Sequence, residues 1–533
     1  MVAHMTVGGR QFWQAYLLVF AMALVARYGA FPALGFTLDD WGHLNRAESS
    51  ATGQQLLEQA LRHPSRPVGT AVLMGTYRTL GEHIGRHVAN GLAGFALFLL
   101  AGMRLVRQLT GSSRPAFIFG LFCALWPGIH EMFYWPNIML SWDLAVLYPL
   151  MFSFWIGFLA RRRWWQYLSV LFIYAALTFT YEIYLPAPAA LAVLIPWQRG
   201  WLVRAMRLLF PFAAVVAFHL TYRFTQAFGL GNDMLGTSQY FTNAVAANFW
   251  EIRHNLMGIL SWFAGPELGR IWLNGLLGLR DAGAWAVTGL FVLDLGLAWL
   301  AWRWLRQPEE DKVPASFAPL QIALCGLCLA AGPGLILTLS FPAARTLFFV
   351  AIGLFLIVGM TGRSPWRHTS WLIPALVTVM LSTQGMGRNW ETGAEIQRRF
   401  QSHLAQHRTE WLNREILLVD TAALRTRVPG SLLAAPPQDF FAVTEYRGAG
   451  FLRGFGPGQI AARLAGPAPR MPRVLLDVEH GAEIRGDRLF WHERFNPQVA
   501  HSTPLADVYR VDMLTASQLP GMAATGPEPA ARP

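Results

Sequence analysis

The chain has 533 residues, 54% hydrophobic and 14% charged, with 22 Trp and 36 Phe, which is too apolar for a soluble multidomain protein of this length. A net charge of +12 would point to nucleic acid in a soluble protein. Here the arginines fall in short runs between apolar stretches, so the charge reports membrane topology and no nucleic-acid partner is expected. Lys312 is the only lysine, which removes lysine-dependent chemistries and leaves arginine for any phosphate binding.

In chain order, the apolar run from Phe12 to about Ala33 follows Arg10 and reads as a retained first helix with a cytoplasmic start. Later basic groups fall at alternate ends of successive apolar runs: Arg104, Arg107 and Arg114, then Arg161 to Arg163, then Arg199, Arg204 and Arg207, then Arg303, Arg306 and Lys312, then Arg363 and Arg367. That alternation gives about eleven spans of about 20 residues, N-terminus inside and C-terminus outside. They are expected near 12–33, 86–106, 115–132, 137–160, 164–181, 183–198, 205–226, 281–302, 318–340, 345–361 and 369–386.

Two outer segments are too long for simple turns. The first, 35–85, holds the adjacent acids Asp39 and Asp40, a polar helix from Leu44 to Leu61, an elbow His63-Pro64-Ser65-Arg66-Pro67, and a stretch Val68 to Leu80 expected to lie on the membrane surface. The second, 227–280, carries Trp250, Trp262 and Trp272 and reads as interfacial helices. After Gly387 the chain turns polar, with a helix expected over Arg388 to Glu415 and strands at Ile416 to Val419 and Val474 to Val478. The fold class is therefore an all-α polytopic membrane protein with a small C-terminal outer α/β domain. Its parts are a transmembrane domain 1–387, the outer domain 388–519 and a disordered tail 520–533. Cys325 and Cys328 form a lone C-x-x-C in an apolar stretch and carry no expected metal or redox role.

Several ionisable residues fall in one outer leaflet under this topology. His130 and Glu131 close the third span, Asp143 sits early in the fourth, Tyr181 and Glu182 end the fifth, and Arg345 opens the tenth. With Asp39 and Asp40 they define an expected acidic pocket rimmed by arginine. Bland readings stand beside each. Asp39 or Asp40 can open a helix, Glu131 and Arg345 can snorkel, Glu182 can end a helix, and Asp143 can pair structurally with Arg86 or Arg27. For His219 and Asp294, deep in their helices, interhelical hydrogen bonding is expected.

In the order of these parts the chain resembles the GT-C polytopic glycosyltransferases, which include lipid A aminoarabinose transferase and protein O-mannosyltransferases. The resemblance rests on the pair Asp39-Asp40 after the first helix, the polar helix and elbow, Arg86 opening the second span, the acid Glu131, the outer C-terminal domain and the count of spans. It implies transfer of a hexosyl or pentosyl group, with inversion, from a polyprenyl-phosphate donor to an envelope glycan or glycolipid. It further implies an inner-membrane, multi-pass protein whose C-terminal domain and active site are periplasmic. By position, Asp39 or Asp40 would be the general base, Arg66, Arg86 and Arg345 would bind the leaving polyprenyl phosphate, and His130, Glu131, Asp143, Tyr181 and Glu182 would complete the substrate site. A divalent metal ion, held by Asp40 and Glu131, is a further implication. The chain departs from the family in lacking a Trp-Trp-Asp motif, and in showing His130-Glu131 where an acidic D-x-D is usual. A lipid-linked glycan ligase or polymerase, and a transporter or flippase, are the competing readings. The first would lean on outer Arg and His residues; the second expects pseudo-symmetric halves, which the lopsided outer segments do not supply.

Overall fold

A computed structural model describes residues 9–30, 32–36, 38–50, 52–61, 66–229, 249–279, 282–308, 315–339, 344–361, 370–420, 457–465, 471–476, 480–493 and 496–512. The chain divides into two compact units, one of Met1–Pro32 with Arg46–Arg388 and the other of Ala33–Asn45 with Asn389–Pro533.

The first unit is helical. Its leading elements are α1 (Arg10–Tyr28), α2 (Leu38–Ser49, shared with the second unit), α3 (Gly53–Leu61), α4 (Pro67–Leu80), α5 (Ile84–Thr110) and α6 (Ser113–Leu125). Next come three short helices, α7 (Glu131–Tyr134), α8 (Pro136–Met139) and α9 (Ser141–Ala145), followed by α10 (Leu147–Arg161), α11 (Trp164–Thr178), α12 (Ala187–Val193) and α13 (Trp201–Gly229). The remainder are α14 (Phe249–Ala264), α15 (Pro266–Gly278), α16 (Ala284–Arg306), α17 (Pro319–Leu339), α18 (Ala344–Thr361) and the long α19 (Leu372–Gln406), whose later turns belong to the second unit.

Each expected span overlaps helix, the sixth with an α-helix only over Ala187–Val193, but only five segments among the described residues are long and apolar enough to cross a membrane: Ile84–Thr110, Ser141–Arg161, Trp201–Tyr222, Ala284–Arg306 and Pro319–Thr338. Ser113–Leu125, Glu182–Val193 and Leu347–Met360 are apolar but shorter. The reasons for the departures are local. Trp126 to Tyr134 is not the end of a third span, because Pro127 starts a 3-10 turn after α6 and Glu131 opens a new helix. The fourth, 137–160, is broken at Leu140 and Val146 into α8, α9 and α10, the first of which opens on Pro136 because proline has no N–H to donate to a preceding turn. The polar helix of the first outer segment is two helices, α2 and α3. In the second, Trp250 is exposed but Trp262 is buried, so only the first fits an interfacial anchor.

Helix α6, buried on nearly all sides, packs against α1, α5 and α18, as a helix apolar all round must. Around it, Phe95, Phe98, Phe133, Trp142 and Phe348 form one aromatic cluster, and the Trp142 indole donates to the Met132 carbonyl at 2.6 Å. Asp294 of α16 and Gln384 of α19 meet at 3.0 Å, the interhelical hydrogen bond expected for a carboxyl inside a helical bundle.

Helices α15 and α19 approach backbone to backbone. A methyl on Gly385 would overlap the Gly275 carbonyl, and one on Gly275 would overlap the Ser382 carbonyl. Because neither carbonyl can rotate away, Gly385→Ala is expected to lower stability by roughly 1–3 kcal/mol. Thermal unfolding of the purified protein in detergent checks this, and an unchanged melting temperature would show that the helices can separate at little cost.

In the second unit, β1 (Ile416–Asp420) pairs in parallel with β2 (Arg473–Leu476) and β6 (Val508–Asp512), in the order β2-β1-β6. An antiparallel meander of β3 (Glu483–Arg485), β4 (Arg488–Glu493) and β5 (Asn496–Pro504) packs on it through Ile416, Leu418, Leu475, Leu489 and Trp491. Helices α20 (Arg408–Leu412) and α21 (Pro457–Ala465) complete it. The expected helix from Arg388 has no start of its own, since α19 runs unbroken through Gly387. Along its later turns Arg399 and Arg398 hold the Glu395 carboxyl below the usual carboxylate range through hydrogen bonds.

Candidate functional site

Arg66 stands immediately before α4, where Pro67 occupies the first helical position and the Arg66 carbonyl accepts from Thr70 N–H at 2.8 Å. The start of α4 docks on the connection between α11 and α12. Val68 N–H donates to the Phe179 carbonyl at 3.3 Å, and a Cβ on Gly69 would stand 3.0 Å from the Thr180 carbonyl oxygen, so this approach has room only for glycine's hydrogen. The connection itself is not α-helical. Helix α11 ends at Thr178, and a 3-10 turn Glu182–Tyr184 precedes Pro186.

This docking brings Arg66, Tyr181 and Glu182 together. The guanidinium donates from Nε to Glu182 Oε2 at 3.2 Å and from Nη2 to Oε1 at 3.0 Å, a two-pronged pair. Its central carbon lies 3.9 Å from the centroid of the Tyr181 ring. The pair is half-buried, with side-chain exposures of 27% for Arg66 and 12% for Glu182. Tyr181 stacks on Phe349 at 6.2 Å, and Tyr184 meets the same ring edge-on at 5.0 Å. Phe349 lies one turn beyond Arg345 on α18, so the helix that carries Arg345 abuts the cluster, although the Arg345 side chain lies outside the described residues. Glu182 is therefore not merely a helix end. It orients an arginine across 116 residues of sequence. A cation held at one edge and one face keeps a fixed orientation, as recognition of a phosphate or carboxylate requires.

Asp143 has a different partner from those expected. Asn90 Nδ2, one turn beyond Arg86 on α5, donates to Asp143 Oδ2 at 2.7 Å, and a Cβ on Gly94, the next turn along, would stand 2.6 Å from Oδ1. The carboxyl thus lies across the α5 surface. Arg86, in the first turn of α5, is exposed, and Arg27 is engaged elsewhere. Arg27 is fully buried, with Nε and Nη2 both donating to the Ala124 carbonyl at 3.2 Å and Nη2 to the Trp126 carbonyl at 2.7 Å. Its guanidinium lies 4.3 Å from the Phe133 ring. Tyr134 Oη donates to the Arg27 and Thr383 carbonyls, and Tyr28 Oη to the Phe133 carbonyl at 2.6 Å. These contacts fix the Trp126–Tyr134 connection, in which His130 is fully buried; the Glu131 side chain lies outside the described residues.

Asp39 and Asp40 belong to the second unit. Helix α2 starts at Leu38, so both lie inside its first turn, where a carboxylate meets the positive end of the helix. Asp40 is fully buried, and the Asp39 side chain lies outside the described residues. The segment carrying them is held within that unit. Arg398 Nη1 donates to the Ala33 carbonyl at 3.4 Å, Gly35 packs on Ala394, and Arg463 Nη1 donates to Asn45 Oδ1 at 3.0 Å. Among the described residues no group of three or more His, Cys, Asp and Glu side chains gathers to hold a metal ion; of the two ligands the resemblance implies, Asp40 is described and the Glu131 side chain is not. Sequence reasoning overlooked Asn90 altogether, and saw Arg27 only as a partner for Asp143. The one available signal for Arg27 was its depth at the end of an apolar helix, where a cation is costly. No protein-family model matches this sequence, and no curated protein is significantly similar to it.

Proposed function

We propose that the protein is an integral membrane glycosyltransferase that moves a sugar from a polyprenyl-phosphate donor to an envelope glycan or lipid acceptor. The observation that carries this reading is the Arg66–Tyr181–Glu182 cluster, an oriented guanidinium beside a break between two apolar helices, where a lipid phosphate would present its charge. In the reaction proposed, the acceptor oxygen forms a bond to the anomeric carbon as the bond from that carbon to the phosphate oxygen breaks. The electron pair leaves with the polyprenyl phosphate, whose charge Arg66 stabilises with Arg86 and Arg345, and the acceptor proton passes to an aspartate. In this reading one of Asp39 and Asp40 is the base and the other orients it. The same reading takes eleven spans, a cytoplasmic N-terminus and a periplasmic C-terminal unit in a bacterial inner membrane.

The test is to express Asp39→Asn, Asp40→Asn and Arg66→Gln in cells lacking the native copy and to profile envelope glycolipids by mass spectrometry, with protein level and melting temperature checked. A glycosylated species is expected to disappear in Arg66→Gln and in at least one of the two aspartate variants while the protein stays folded. Unchanged glycans in all three variants overturn the proposal.

A further inference from the structure

A second constellation lies at the opposite end of α11 from Glu182. Arg161 closes α10, Arg162 and Arg163 make the turn, and α11 begins at Trp164. Arg199 precedes α13, and Arg204 and Arg207 lie in its first two turns. Helices α11 and α13 start side by side. Tyr167, one turn beyond Arg163, donates from Oη to the carbonyl of Leu208, one turn beyond Arg204, at 2.8 Å. Trp201 is tied to the end of α12 by an indole hydrogen bond to the Ala192 carbonyl at 3.3 Å.

Six guanidiniums therefore gather where two parallel helices present the positive ends of their dipoles. From Leu144 to Tyr222 the only carboxylate is Glu182, which lies beyond the other end of α11, roughly 22 Å of helix away, and holds Arg66. None of the six arginines forms an ion pair among the described residues. Tryptophan stands at the same level, with Trp164 68% exposed and Trp197 46% exposed. Farther along, the two helices turn large apolar side chains outward, including Phe172 at 76% and Phe210 at 74% exposure. A topological bias toward arginine explains positive charge at this end of the bundle. It does not explain a cluster at two adjoining helix starts, bordered by tryptophan and continued by apolar faces. A soluble polyanion would leave those faces unused, whereas a lipid with an anionic head uses both parts.

We propose that the adjoining starts of α11 and α13 form a binding site for an anionic phospholipid, its phosphate held by Arg162, Arg163 and Arg204 and its acyl chains lying against the exposed apolar faces of the two helices. The site is separate from the Arg66 cluster and does not depend on glycosyl transfer.

Native mass spectrometry of the full chain, purified in mild detergent from a bacterial membrane, tests it. Wild-type protein is expected to carry phosphatidylglycerol or cardiolipin. The triple variant R162Q/R163Q/R204Q is expected to bind phosphatidylglycerol about a hundredfold more weakly, and R303Q/R306Q, with as many changes as helix-end arginines allow at α16, is expected to bind as wild type does. A parallel titration follows wild-type melting temperature in phosphatidylcholine nanodiscs as phosphatidylglycerol is added; a saturable rise is expected, and it serves as the deciding readout if the triple variant is not recovered folded. Wild type without anionic lipid, equal binding by the triple variant, equal loss in R303Q/R306Q, or a melting temperature indifferent to phosphatidylglycerol would each overturn the proposal.

Discussion

Replacing Arg27 with leucine is expected to destabilise the helical unit by about 3 kcal/mol, measured as the loss of unfolding free energy in detergent. The cost does not come from a broken ion pair, because no carboxylate among the described residues pairs with this guanidinium. It comes from the Ala124 and Trp126 carbonyls, at and just beyond the end of α6, which accept from Arg27. Helix ends leave such carbonyls without intrahelical partners, and a buried carbonyl that loses its donor costs about 1–3 kcal/mol. The Phe133 ring loses its cation at the same time. Removing a buried charge relieves some desolvation, which keeps the net figure below the sum of these losses. Arg27→Lys retains charge but has one compact head where the native residue has a fork, so roughly half the loss is expected. Amide exchange should quicken most from Phe133 to Tyr134, the residues tied to α1 through tyrosine hydroxyls. A leucine variant as stable as wild type would show that water or relaxation satisfies the carbonyls.

The second large effect concerns Arg66 and Glu182. Each single change, Arg66→Gln or Glu182→Gln, is expected to cost about 1–2 kcal/mol. The pair is more buried than a surface ion pair, worth well under 1 kcal/mol, but less buried than pairs whose rupture costs 3–5 kcal/mol. A double-mutant cycle should recover coupling of about 1 kcal/mol. Sugar transfer should fall about a hundredfold in Arg66→Gln, in line with loss of a donor to a developing oxyanion. The swapped pair, Arg66→Glu with Glu182→Arg, separates the two roles: it should regain much of the stability and little of the transfer, since the cation then stands on the wrong element. Full recovery of transfer by the swap would reduce Arg66 to a structural partner.

Most helix positions were legible because apolar runs announce themselves, the sixth expected span being the exception, α-helical only over Ala187–Val193. What the runs could not show was continuity. The turn at Pro127, Pro136 and the break at Leu140 divide one apolar region into four helices, α6 to α9, while α19 passes through a sharp change of composition at Gly387 without a break. Composition reports what surrounds a backbone, and proline decides more often where it stops. In the site, Tyr181 and Glu182 stand out as polar residues ending an expected span and Arg66 as a cation in the elbow before Val68, but their meeting depends on a docking across 116 residues that no local pattern encodes. Asn90 was missed because a neutral amide carries no charge signature, and the partners of Arg27 because carbonyl oxygens have no letter in the sequence. The meander β3 to β5 was not legible: Arg488 to Trp491 alternate exposed and buried in the fold, but Leu489, Phe490 and Trp491 are all apolar, so the residue types do not alternate with them. Likewise Asn45 meets Arg463 across 418 residues, a pairing invisible to any window-based reading.

Arg162 is the one described non-glycine residue with positive φ, at 55°. It sits in the left-handed conformation that closes α10 and lets α11 begin after a single further residue, a position where glycine avoids the Cβ clash that arginine bears. The turn would be easier to make with the residue that has no side chain. An arginine at the tightest point of a hairpin therefore sets backbone comfort against side-chain chemistry, and the strain falls on the same residue that the proposed lipid site would use.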